Sequence, residues 1–125
     1  LTTTTTQTYN ELVAETFKRV LDLSKMKGEE YAGEVDRLNN FRRNAAMWGV
    51  ELEQCWGVYA GKHWDALAQY IRDTADGKER TRSEPLESRV DDLIVYLLLF
   101  KCMLRERQPQ FGGFAMQRAE VKSEE

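Results

Sequence analysis

The chain has 125 residues, 42% of them hydrophobic and 31% charged, enough apolar material for one compact domain with a single core. Its 18 basic and 21 acidic residues leave a formal charge of −3, without the positive field of a nonspecific nucleic-acid binder. Two cysteines, Cys55 and Cys102, and one histidine, His63, exclude a disulfide scaffold, thiolate zinc sites and any metal centre built on several imidazoles of one chain; carboxylates would have to hold a metal, which selects magnesium or manganese.

The opening, Leu-Thr-Thr-Thr-Thr-Thr-Gln, is polar and uncharged, unlike a signal peptide, and residues 1–8 read as a disordered lead-in. Thr8 and Glu11 have capping-box spacing, so a first helix is expected from near Tyr9. Its core positions are Leu12 or Val13, Phe17, Val20 or Leu21, and Ser24, and it should fail at Gly28, with a break over 28–33. From Asp36 a second, short helix carries Leu38, Phe41, Ala45 and Trp48 on one side and ends at Gly49. A third helix is expected from about Glu51 to Ala75 on the stripe Leu52, Cys55 or Trp56, Tyr59, His63, Ala66 or Leu67, and Tyr70.

Residues 76–84 are polar and aperiodic, an exposed and mobile loop. Pro85 suits the first position of a fourth helix that runs to about Arg107, with Leu86, Val90, Leu93, Leu97, Phe100 and Leu104 as its main stripe. Val95, Leu98, Leu99, Cys102 and Met103 make much of its remaining surface apolar as well, so this helix is either central or part of a subunit interface. The run Leu93–Leu104 holds Lys101 and falls well short of the roughly 20 residues that cross a bilayer. The expected fold is all-α, a four-helix domain of the up-down type over residues 9–107, dimeric, intracellular, and followed by a tail, 108–125, whose two phenylalanines flank Gly-Gly.

Three polar faces are candidates for chemistry. Asp36, Asn40 and Arg43 share the side of the second helix opposite its apolar stripe; a carboxylate, an amide and a guanidinium there suit either a solvated exterior or a ligand with hydrogen-bonding edges and phosphate. His63 lies in the third helix's apolar stripe beside Lys62, a core histidine or half of a phosphate-facing pair. Arg89, Asp92 and Tyr96 share a face of the fourth helix among very apolar neighbours, where a carboxylate is costly unless it is paired or binds something. Glu87 and Asp91, one turn apart, are a second carboxylate pair able to share magnesium or to face water. No GxGxxG, Walker, GxSxG or HExxH motif is present. The tryptophans at 48, 56 and 64 drift around a helix and make no common stacking platform.

Lys27-x-x-Glu30-Tyr31-Ala32, Asp36-Arg37-Leu38-x-Asn40-Phe41, Lys62-His63 and Glu84-Pro85-x-Glu87-x-Arg89-Val90-x-Asp92-Leu93-Ile94-x-Tyr96-Leu97 together resemble the small all-helical phage and prophage proteins called nucleotide modification associated domains. That family is similar in turn to the MazG-like all-α nucleoside triphosphate pyrophosphatases, oligomers that use magnesium on carboxylates of two helices to cleave between the α and β phosphates. The resemblance implies a nucleotide-related role in phage biology, in the cytoplasm of a bacterial host. The chain departs from the pyrophosphatases at two metal-ligand positions: Arg89 stands three before Asp92 where they carry glutamate, and Tyr31 stands where their ExxE pair begins. Glu29, Glu30, Glu34, Glu87 and Asp91 are the carboxylates left to replace them.

The expected ligand is therefore a nucleotide or related phosphate. Arg43, Lys62 and Arg89 would neutralise phosphate, and Asn40 and Tyr96, with Asp36 and His63 nearby, would hydrogen-bond base or sugar. In the enzymatic version Asp92, with Glu34 or Glu87, holds magnesium, and Glu30 or Glu34 acts as the base for an attacking water. Arg89 at a metal-ligand position favours the alternative, a module that sequesters a nucleotide without cleaving it. A third reading is an inhibitory protein that contacts a partner through Leu93–Leu104 and the Phe111–Phe114 segment.

Overall fold

The computed structural model describes residues 2–31 and 35–108. They form four α-helices, α1 Thr6–Tyr31, α2 Asn39–Trp48, α3 Leu52–Ala75 and α4 Leu86–Arg107, with no strand among the described residues. The third and fourth helices match the expected bounds, and the first does not. Its cap lies three residues earlier, where the amide of Thr5 donates to Thr8 Oγ1 (2.9 Å) and the amide of Thr8 donates to Thr5 Oγ1 (3.1 Å). A run of threonines offers several caps of equal chemistry, and the one nearer the N-terminus lengthens the helix by just under a turn. At its other end α1 runs through Gly28 rather than stopping there. Gly28 is buried, and a Cβ on it would stand 3.0 Å from Arg37 Nε, so this glycine admits a close approach instead of breaking the helix.

α4 is the hub: α1 and α3 pack on it, and α2 packs on α3. The core gathers Val20 of α1, Leu38, Phe41 and Ala45 in and before α2, Cys55 of α3, and Val95, Leu99 and Met103 of α4. Asp91, Val95, Leu99 and Met103 are the buried positions of α4, whereas Val90, Leu97 and Leu104 of the expected stripe are exposed. A helix apolar on almost every side has no face that periodicity can select, and its neighbours decide. Phe17 and Trp48, also expected inside, are exposed as well. α2 stops at Gly49, whose left-handed backbone (φ 65°) suits glycine and turns the chain into α3. α3 starts with Glu51 and Gln54 capping each other's backbone.

The loop 76–84 is exposed over much of its length but is held at its centre. Asp73, buried in α3, accepts from Arg80 Nε (2.7 Å), Arg82 Nη2 (3.2 Å) and Gln69 Nε2 (2.9 Å), and these donors, Arg80 first, hold its carboxyl well below the usual carboxylate range. Asp91 takes Arg19 Nε at 3.1 Å and ties α1 to α4. The carboxylate of Asp91 is thus engaged within the fold, and Glu87, one turn before it, is exposed. No described helix is long and apolar enough to cross a membrane. Glu34 and the tail beyond Gln108 lie outside the described residues.

Candidate functional site

One polar cleft is walled by all four helices. Its volume is about 490 Å³, within the ~300–1,000 Å³ typical of small-molecule sites. α1 supplies Lys27 and Glu30; α2 supplies Asn40, Arg43 and Asn44; α3 supplies Tyr59, Lys62 and His63; α4 supplies Arg89, Asp92 and Tyr96, and Glu84 closes one side from the loop.

The floor is aromatic. Phe41, almost fully buried, meets Tyr59 edge-on at 5.7 Å and Tyr96 at 6.2 Å. Trp56 Nε1 donates to the Tyr96 carbonyl (2.7 Å) and so pins that turn of α4. These contacts fix the two tyrosine rings that line the cleft, so a planar ring entering it would meet rings held in place by the core.

His63 is 4% exposed. Its Nδ1 lies 3.4 Å from Arg89 Nη1 and 3.7 Å from Asp92 Oδ2, and its ring is 5.3 Å from Tyr96. Burial lowers its pKa most, the cations Lys62, Arg89 and Lys27 lower it further, and Asp92 opposes them. Nδ1 therefore stands between a group that can only donate, the Arg89 guanidinium, and one that can only accept, the Asp92 carboxylate, and the tautomer decides which of the two it bonds. His63 is thus a core histidine whose polar edge reaches the cleft.

Asp92 faces Lys27 Nζ at 3.6 Å as well as His63, and Arg89 Nε faces Glu84 Oε1 at 3.4 Å. Arg43 and Lys62 line the cleft with no carboxylate partner among the described residues. The amide oxygen of Asn40 is buried and has no hydrogen-bond partner among the described residues, a state that costs about 1–3 kcal/mol unless something fills it. Asn44 Nδ2 donates to the Asn40 carbonyl (2.8 Å) and bends over the same turn.

Of the candidates read from the sequence, Glu30, Asn40, Arg43, Lys62, His63, Arg89, Asp92 and Tyr96 share this cleft, and Glu29, Asp36, Glu87 and Asp91 do not line it. Asp36 turns away to accept from Arg42 Nε (2.8 Å) and from the Leu38 amide (3.1 Å), which lowers its pKa and leads the chain into α2. A nearer arginine, one that also reaches Glu106 at 2.6 Å, outcompetes the cleft for that carboxylate. Glu87 lies outside the cleft.

Lys27, Tyr59, Asn44 and Glu84 also line the cleft but escaped the reading by faces. Tyr59 sits one turn before His63, on the apolar stripe of α3. Lys27 enters through a contact to α4 from a distant part of the chain, and Glu84 enters from the loop that leads into α4, placements that no helical wheel reports.

The chain was compared with protein-family models, with curated proteins and with solved structures, and none matches it.

Proposed function

We propose that this cleft binds a nucleotide, with phosphate against Arg43, Lys62 and Arg89 and the base against Tyr59, Tyr96 and Asn40. The observation that carries the reading is the meeting, in one cleft, of two cations, Arg43 and Lys62, with no carboxylate partner among the described residues, and a buried Asn40 acceptor that no described residue satisfies. Guanidinium and ammonium groups recognise phosphate oxygens, and a base carries the ring N–H or amino donor that Asn40 lacks.

Magnesium held by the protein fits these residues poorly. The ion seeks near-octahedral oxygen ligands, yet Asp92 already faces Lys27 and His63, Arg89 stands one turn away, and Glu87 is outside the cleft. Among the described residues no three acidic, histidine or cysteine groups converge as a metal site. Sequestration of the nucleotide is therefore favoured over pyrophosphohydrolysis, and no step is routed through a metal. The proposal includes an up-and-down helix order, supported by the short α2–α3 connection, and a homodimer, supported by an apolar depression on α3 and α4. The resemblance to phage nucleotide modification associated domains supports a setting in the cytoplasm of a bacterial host.

Thermal unfolding of the full chain with a panel of nucleotides, with and without magnesium, tests this reading. A ligand at 100 times its Kd stabilises by about 2.7 kcal/mol, a rise of several degrees in Tm for a chain of this size. The expected result is a selective rise that Arg89→Ala and Lys62→Ala diminish, with no pyrophosphate or phosphate released. Product release that requires Asp92 would restore the enzymatic reading, and no rise with any nucleotide would end the proposal.

A further inference from the structure

The charge of the cleft limits how many phosphates it can hold. Its described lining carries four cations, Lys27, Arg43, Lys62 and Arg89, and three carboxylates, Glu30, Glu84 and Asp92, an excess of one positive charge with His63 neutral. Two of the cations are already engaged: Lys27 faces Asp92 at 3.6 Å and Arg89 faces Glu84 at 3.4 Å. Arg43 and Lys62 are the two left for an incoming anion. A single phosphate monoester carries about 1.5 to 2 negative charges at pH 7, which Arg43 and Lys62 together balance. Each further phosphate would bring more negative charge against Glu30, Glu84 and Asp92, and uncompensated like charges in a half-enclosed site are strongly disfavoured.

The cleft is also polarised along its length. Asn40, Lys27 and Tyr96 border a second, small cavity of about 30 Å³ that reaches Phe41, Val95 and Leu99 in the core, whereas Arg89 and Glu84 border a depression formed by the loop 80–86. The Asn40 acceptor thus lies at the end that reaches the core, where Lys27 and Arg37 also stand, and Arg89 and Glu84 lie at the loop end.

We infer that the cleft is matched to a nucleoside monophosphate rather than to a polyphosphate, with Glu30 and Glu84 acting as the residues that reject additional phosphate. The inference rests on the nucleotide reading of the cleft and narrows it. Calorimetric titration of the full chain in EDTA at fixed ionic strength tests it, with ribo- and deoxyribonucleoside monophosphates, their di- and triphosphates, and the unphosphorylated nucleosides as probes. The best monophosphate should bind about tenfold or more tightly than both its triphosphate and its nucleoside. Glu30→Gln, at an exposed position, should shrink the gap between mono- and triphosphate severalfold. A triphosphate that binds as tightly as its monophosphate overturns the inference and leaves nucleotide binding intact, as does a gap that Glu30→Gln leaves unchanged. If no phosphorylated probe binds, both readings fall.

Discussion

Asn40 serves two opposed ends, since its oxygen is buried without a partner among the described residues while its position at the cleft suits it to recognise a ligand donor. Replacing such an acceptor by an apolar group of similar size removes the desolvation penalty. Asn40→Leu should therefore stabilise the free protein by up to about 1 kcal/mol and weaken nucleotide binding about tenfold or more, measured by urea unfolding and by calorimetry on the same preparation. Loss of stability with unchanged affinity would place Asn40 in the scaffold alone. His63 gives a prediction of a different kind, because burial lowers its pKa from the ordinary 6.5. Between the lowered folded value and 6.5 the unfolded chain binds more protons than the folded one, so stability rises with pH across that window. As pH falls below 6.5 the native state loses stability, since protonation would put a charge in a buried ring beside Lys62, Arg89 and Lys27, which Asp92 offsets only in part. The stability difference between wild type and His63→Gln should narrow from pH 7 to pH 5, and a constant difference would show that His63 stays uncoupled from titration.

The helices differ in how firmly their own residues determine them. Met103 and Val95 of α4 are almost fully buried, whereas Leu97 is 51% exposed. Met103→Ala should cost about 2–5 kcal/mol, and Leu97→Ala about 0.5 kcal/mol or less in the monomer, by urea unfolding at low protein concentration. Equal losses at the two positions would mean that the opposite stripe is the buried one. The expected stripe of α4 was the wrong one because helical period identifies a face only where polar residues mark its other side, and between Leu93 and Leu104 they do not. α3 was legible to within a residue, for its ends carry Glu51 with Gln54 and the Asp76-Gly77 turn, signals that act locally. Gly28 misled for the converse reason: what it accommodates is Arg37, on the far side of a turn. The same division holds in the cleft. Asn40 and Arg43, or Arg89, Asp92 and Tyr96, share a helix face and can be read as a group, but Lys27 meets Asp92 only through the packing of α1 on α4. Asp36 shows the limit of face reading, since its partner Arg42 comes from the turn beside it and not from the helical row that holds Arg43.

At the scale of the whole molecule, α3 separates two unlike surfaces. Lys62 and His63 face the polar cleft. Gly57, Ala60, Gly61 and Trp64, with Leu93 and Leu97 of α4, border an apolar depression of about 380 Å³. A Cβ added at Gly57 or Gly61 would meet nothing within 4 Å among the described residues, so these glycines leave a groove that no described residue fills. Groove and ridge lie on the same face, Trp64 being 55% exposed beside it, and a surface that carries both can pair with itself about a two-fold axis. The chain should therefore sediment as a dimer at micromolar concentration, and Trp64→Glu should make it monomeric without altering nucleotide affinity. Gly61→Ala separates the dimer from a merely exposed helix. In the monomer it should add about 0.5–1 kcal/mol of stability through helix propensity, while in the dimer the new methyl group occupies the groove and should weaken association. Opposite signs in the two measurements are what a groove filled by a second copy requires; a variant that is more stable and associates as before would mean that the partner packs elsewhere.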